Sequence, residues 1–212
     1  MLISWNTTSR CNLFCRHCYR ESGPGNDRSG ELSTAEGIAL IGSIKRAGFR
    51  LLILSGGEPL LREDIFELVS AARDAGLVPA MGTNGTLLTE ETAARLAECG
   101  LKGAAVSVDS LDREYHDTFR GAAGAFDSAQ QGIRNALAAG LRVQINLTLT
   151  DRNLDQFDRM VDYYGEMGVH AVHPFFLVPT GRALSMAEEE LKSEGYFSMI
   201  RKILEKQGKT RM

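Results

Sequence analysis

The chain has 212 residues, 43% hydrophobic and 24% charged, which fits one globular domain and excludes a disordered chain. Basic residues number 24 against 27 acidic ones, so the net charge is −3 and no broad basic face for nucleic acid is expected. The opening Met1-Leu2-Ile3-Ser4-Trp5 is too short for a signal-peptide core, and the apolar runs at 51–54 and 175–178 are strand-sized, far below a membrane span. The expected location is therefore the cytoplasm, with reduced thiols and no membrane partner.

In chain order, a short β-type run is followed by a helical stretch six times. The expected strands cover 2–7, 51–55, 78–83, 104–108, 142–149 and 171–178, rich in Val, Ile, Leu and Phe as buried parallel strands are. The expected helices cover 34–47, 65–75, 90–98, 126–139, 154–167 and 188–206. Ser33 and Glu36 are spaced for a capping box at the first helix. Gly48, Gly76, Gly100, Gly140 and Gly168 stand where left-handed C-caps would close the first five. This rhythm accounts for much of the glycine content, 22 residues, without invoking function. Strand–helix alternation at this spacing means βαβ units and a parallel α/β sheet, either open and doubly wound or an incomplete barrel. In both, chemistry belongs at the C-terminal ends of the strands.

The loop after the first strand carries Cys11-x-x-x-Cys15-x-x-Cys18. Thiolates hold iron–sulfur clusters. Three of them on a [4Fe–4S] cluster leave one iron open, as a catalytic centre requires. Arg10, Arg16 and Arg20 flank the cysteines and favour thiolates. The competing reading is a structural zinc site, which His17 or Cys99 would have to complete. Cys99 itself reads as a small buried residue near a helix end. After the second strand, Ser55-Gly56-Gly57-Glu58-Pro59 offers backbone for close approach to a ligand, and the Glu58 carboxylate with neighbouring carbonyls suits an ammonium group.

CxxxCxxC after the first strand and GGEP after the second resemble the radical S-adenosylmethionine (SAM) superfamily. The resemblance extends through Thr83-Asn84-Gly85-Thr86, Ser107-Val108-Asp109-Ser110, His116 to Gly121 and Gly124-Ala125-Phe126-Asp127, covering residues 2 to about 182. It implies a partial (βα)6 barrel of the TIM-like type, with a [4Fe–4S] cluster and SAM as cofactors. It implies that Cys11, Cys15 and Cys18 ligate three irons while SAM chelates the fourth. It places Gly56, Gly57 and Glu58 at the SAM amino group, and His17 and the Tyr19 backbone near the adenine. Asn84, Ser107 and Asp109 fall near the methionine and ribose, Arg120 at the SAM carboxylate, and Asn146 is a further polar candidate. The implied reaction is reductive cleavage of SAM by an external one-electron donor such as ferredoxin or flavodoxin. It yields methionine and a 5′-deoxyadenosyl radical that takes a hydrogen atom from the substrate.

Trp5 to Arg10 and His173 to Arg182 resemble the branch that modifies siroheme-derived tetrapyrroles in heme d1 and alternative heme biosynthesis. On that resemblance His170 and His173 are candidates for a ring iron, Arg182 for a propionate, and Phe175 and Phe176 for the flat ring. Peptide and protein maturases of the superfamily share most of these motifs and stand as the alternative; a non-catalytic zinc-stabilised barrel is a remote third. The expected division is a core barrel over 1–187 and a last helix with the chain end over 188–212. Relatives of both branches carry a C-terminal region with cysteines for an auxiliary cluster; here no cysteine follows Cys99, so that region is expected to be absent or truncated.

Overall fold

The computed structural model describes residues 1–207. Residues 208–212 of the expected C-terminal segment, including Lys209, Thr210, Arg211 and Met212, lie outside the described residues.

Six strands, β1 (Leu2–Asn6), β2 (Leu51–Ser55), β3 (Val78–Thr83), β4 (Gly103–Ser107), β5 (Arg142–Leu149) and β6 (Ala171–Phe176), form one sheet in the order of the chain. Every pairing is parallel. Right-handed crossovers in an unreversed strand order put every helix on the same face. The doubly wound alternative is thereby excluded, because it needs a reversal of order that this sheet lacks. The sheet curls into a half-barrel that stays open between β1 and β6.

The helices are α1 (Thr34–Arg46), α2 (Ile65–Asp74), α3 (Glu90–Cys99), α4 (Arg113–Arg120), α5 (Ala125–Ala138), α6 (Phe157–Glu166) and α7 (Ser193–Gln207). Alternation along the strands builds the core between sheet and helices. Leu52, Leu54, Met81, Val106, Ile145 and Leu147 point outward and are fully buried against Leu68, Leu96, Ile133 and Met160. The opposite, concave face carries Ser55, Gly82, Ala105 and Asn146, all half-buried. Small side chains there leave room for a ligand.

The punctuation read from the sequence is present. Ser33 and Glu36 form the capping box on α1. The five helix-closing glycines all have φ between 75° and 100°, where a Cβ would be strained. Three elements differ from expectation. α4 is an additional helix, capped by Asp112, whose carboxylate accepts from the backbone of Glu114 and Tyr115, and closed by left-handed Gly121. The helix expected over 154–167 begins as one 3-10 turn, Leu154–Gln156, before α6. The one expected over 188–206 is broken by extended backbone at Glu190, leaving two short 3-10 turns over Gly181–Glu189, kinked at Met186, ahead of α7. Pro174 lies inside β6, which the sheet tolerates because β6 is an edge strand. Among the described residues no helix is long and apolar enough to cross a membrane.

Candidate functional site

The loops that leave the C-terminal ends of the six strands enclose a cavity of about 440 Å³. Cys11, Cys15, His17, Cys18 and Tyr19 line it from the loop after β1, and Gly56 and Gly57 from the loop after β2. Asn84, Ser107, Arg120 and Asn146 line it as well, with Phe175, Phe176, Leu177 and Val178 from the end of β6. Eleven of the thirteen cofactor-site candidates in the sequence, all but Glu58 and Asp109, therefore meet in one place, joined by Gly82, Thr83 and Thr148.

The cysteine loop is fastened on three sides. The Glu58 N–H donates to the Arg10 carbonyl and the Gly57 N–H to the Thr8 carbonyl, both at 2.8 Å. The missing Cβ of Gly57 makes room for the Arg10 carbonyl, and a Cβ on Gly56 would stand 2.5 Å from the Thr8 oxygen. On the second side the Arg16 N–H donates to the Phe119 carbonyl, and Gly121 is packed against the Phe14 backbone. On the third, Arg182 donates from Nε to the Cys15 carbonyl (2.9 Å) and from Nη2 to the Ser22 carbonyl (2.6 Å), and stacks on the Phe14 ring at 4.0 Å.

Two of the three thiols receive N–H donors. Cys11 Sγ accepts from the Leu13 N–H at 3.5 Å and from Asn84 Nδ2 at 3.8 Å; Cys15 Sγ accepts from Arg120 Nη1 at 3.8 Å. Burial pushes the Cys11 thiol up to about 11 and raises that of Cys15, so a thiolate here needs a bound cation to hold its charge. His17 stacks on Phe119 at 4.2 Å, and its Nδ1 is buried with no hydrogen-bond partner; the same is true of Ser22 Oγ. Both residues line the cavity, so two unsatisfied polar atoms border it. Burial drops the His17 pKa to about 3, which keeps the ring neutral. Donors aimed at sulfur, an open cradle beside Gly56 and Gly57, and orphaned polar atoms fit a thiolate-held cluster with an organic ligand beside it. Cys99 lies off the cavity at the end of α3, so it does not complete the triad as a fourth zinc ligand.

Five expected roles change with the geometry. Glu58 does not face the cavity. Its carboxylate is fully buried and accepts from Thr83 Oγ1 (2.9 and 3.0 Å), the Asn84 N–H (2.8 Å) and the Leu60 N–H (3.1 Å), so it ties the loops after β2 and β3 together. Asp109 is also fully buried, behind Arg120 rather than at the rim; it accepts from Arg120 Nε at 2.7 Å and from the Thr148 N–H at 3.0 Å. Arg182 spends its donors on the cysteine loop and does not line the cavity. His173, level with Asn146 in the sheet, is exposed and meets Phe175 edge-on outside the cavity lining. His170 precedes β6, at the opposite end of the strand from the cysteines.

Ser22, Asn12 and Leu13 escaped the sequence reading. Their signal was only that they sit within the long loop; Asn12 accepts from Asn84 Nδ2 at 2.9 Å and donates to Thr86 Oγ1 at 2.8 Å.

The sequence model of the radical SAM superfamily matches residues 5–164. The AdoMet-dependent heme synthase of Nitratidesulfovibrio vulgaris is 39% identical over 199 residues, 94% of this chain and 54% of that one. The pre-heme d1 synthase of Dinoroseobacter shibae is 38% identical over 181 residues, 85% of this chain and 44% of that one. The chain thus spans about half the length of the curated relatives it matches. Streptococcus suis SuiB, solved with bound S-adenosylmethionine, superposes with a TM-score of 0.80 at 18% identity, over 99% of this chain and 48% of SuiB, a likeness of fold. The cysteine loop, the half-barrel and the matched family model agree: this chain belongs to the radical SAM superfamily, whose members use a [4Fe–4S] cluster and S-adenosylmethionine.

Proposed function

We propose that this chain is the catalytic barrel of a radical SAM enzyme that modifies the side chains of a siroheme-derived tetrapyrrole, in heme d1 or alternative heme biosynthesis. The observation that carries the reading is the meeting of Cys11, Cys15 and Cys18 with Gly56 and Gly57 in one cavity, in a chain whose curated relatives at 38–39% identity are named as heme and pre-heme d1 synthases.

In this reading Cys11, Cys15 and Cys18 hold three irons of the cluster. When bound, the cluster and SAM together supply one-electron reductive cleavage of a sulfonium C–S bond. The backbone of Gly56 and Gly57 receives the SAM amino group. Arg120 keeps Nη1 turned to the cavity side, where a carboxylate can share it with Cys15. His17 and the Tyr19 backbone border the adenine, and Asn84, Ser107 and Asn146 present neutral hydrogen-bonding groups to the rest of the molecule. Phe175 and Val178, 51% and 62% exposed, give the open side of the cavity an apolar rim on which a flat ring can lie. Closing that side with substrate excludes water from the reacting centre. An external one-electron carrier, a ferredoxin or flavodoxin, supplies the electron.

The test is anaerobic incubation of the chain with SAM, a reductant and didecarboxysiroheme, followed by mass spectrometry. A porphyrin product of changed mass, formed with 5′-deoxyadenosine, is the expected result. SAM cleavage with unchanged porphyrin, and with modification of a precursor peptide instead, would move the peptide-maturase reading ahead.

A further inference from the structure

The three cysteines are not equivalent. Cys11 has two neutral N–H donors, Cys15 has one charged donor, and among the described residues Cys18 Sγ has none. The charged donor is built with care. Arg120 is buried at the end of α4, and both its Nε (2.7 Å) and Nη2 (2.6 Å) are held by Asp109 Oδ2. Asp109 is in turn fixed by the Thr148 N–H, and its own backbone carbonyl accepts from Asn153 Nδ2 at 2.8 Å. With the fork turned toward Asp109, the remaining nitrogen, Nη1, is aimed at Cys15 Sγ.

We propose that Asp109 is a positioning residue that holds the Arg120 guanidinium against the Cys15 sulfur, and that this pair raises the reduction potential of the cluster. The inference rests on the cysteine triad holding a cluster. The sign follows from distance. The cation stands one hydrogen bond from the sulfur and the carboxylate stands behind it, so the pair presents net positive potential to the ligand. Reduction adds negative charge to the cluster, and a positive field and an N–H···S hydrogen bond both stabilise the reduced form. Desolvation at this buried site strengthens the effect. The arrangement gives Arg120 a task that precedes any contact with SAM: it makes the cluster easier for an external carrier to reduce.

The test is an EPR-monitored redox titration of the reconstituted chain in the absence of SAM. It compares wild type, the neutral pair Asp109→Asn with Arg120→Gln, and Arg120→Lys. At the wild-type midpoint, the reduced-to-oxidised ratio of the neutral-pair variant should fall about tenfold, which is about 59 mV for one electron. Arg120→Lys keeps the charge and loses the fork, so its ratio should fall by a smaller factor, about threefold. An unshifted midpoint in the neutral pair, with wild-type iron content, overturns the proposal. If the neutral pair does not retain iron, Arg120→Lys decides, and an unshifted midpoint there overturns it. Iron loss in both variants also overturns it, by assigning the pair to loop architecture. A wild-type chain that takes up no cluster sinks the cysteine assignment itself, a different failure from an unshifted midpoint.

Discussion

Gly57 lies directly under Arg10: the backbone N–H of the following Glu58 donates to the Arg10 carbonyl at 2.8 Å, and the space a Gly57 Cβ would take is filled by that carbonyl. The glycine pair after β2 therefore serves two neighbours, the cavity on one side and the backbone of the cysteine loop on the other. A substitution at Gly57 cannot disturb the cavity side alone.

Gly57→Val is accordingly expected to lose cluster iron together with SAM binding. Overpacking in a fixed environment costs about 1–3 kcal/mol, and backbone cannot give way as a side chain tip does. Iron content after anaerobic reconstitution and SAM affinity by equilibrium dialysis measure the two effects. Full iron content with only SAM affinity reduced would show that the glycine faces ligand alone.

Arg182→Ala should loosen the cysteine loop. The change removes two hydrogen bonds from a charged donor and a stacked contact with Phe14. Each such bond contributes about 1.5–3 kcal/mol at most, and partial exposure lowers that, so a loss of about 2 kcal/mol is expected. For a chain of this size that is a fall in Tm of roughly 4–8 °C. Thermal unfolding followed by circular dichroism reads it. An unchanged Tm with weakened tetrapyrrole binding would restore Arg182 as a propionate partner.

Glu58 gives a pH dependence of defined sign. Burial pushes its carboxyl from 4.5 to about 7, against the hydrogen bonds from Asn84, Leu60 and Thr83 that pull it down. The folded state thus holds this proton more tightly than the unfolded state. Its contribution to stability is fully present below pH 4.5 and is lost as pH rises through about 7. Denaturant unfolding of the metal-free chain at pH 5 and pH 8 should show wild type losing stability relative to Glu58→Gln by up to about 3 kcal/mol. Parallel pH profiles for the two proteins would contradict it.

Much of this was legible in the sequence, and the reasons are physical. β2, β3 and β5 run over the residues expected, because apolar runs of strand length bounded by Gly, Asn and Thr leave little choice of register. The cysteine spacing pointed to the cavity because three thiols in eight residues are rarely needed for packing. What stayed hidden was direction. Glu58 and Asp109 stand at strand ends, where a carboxylate invites a reading toward ligand, yet each is turned inward by donors that come from other loops: Thr83 and Asn84 for one, Arg120 and Thr148 for the other. Arg182 was visible as a conspicuous cation, but its partners, the carbonyls of Cys15 and Ser22, lie 167 and 160 residues away in sequence. Backbone carbonyls have no residue-type signature, so no pattern could reveal them. α4 could have been found, since Asp112 and Gly121 bracket it as cap and stop.

The assignment of Cys11, Cys15 and Cys18 to one open [4Fe–4S] cluster is tested most directly by metal and sulfide analysis of anaerobically reconstituted chain, with EPR of the reduced protein before and after SAM is added. About four irons and four sulfides per chain are expected, from the cluster's composition. The spectrum should change when SAM occupies the open iron. Each of Cys11→Ala, Cys15→Ala and Cys18→Ala should abolish the signal, while Cys99→Ala should keep it. One zinc per chain without sulfide, or wild-type iron in any of the three variants, would contradict it.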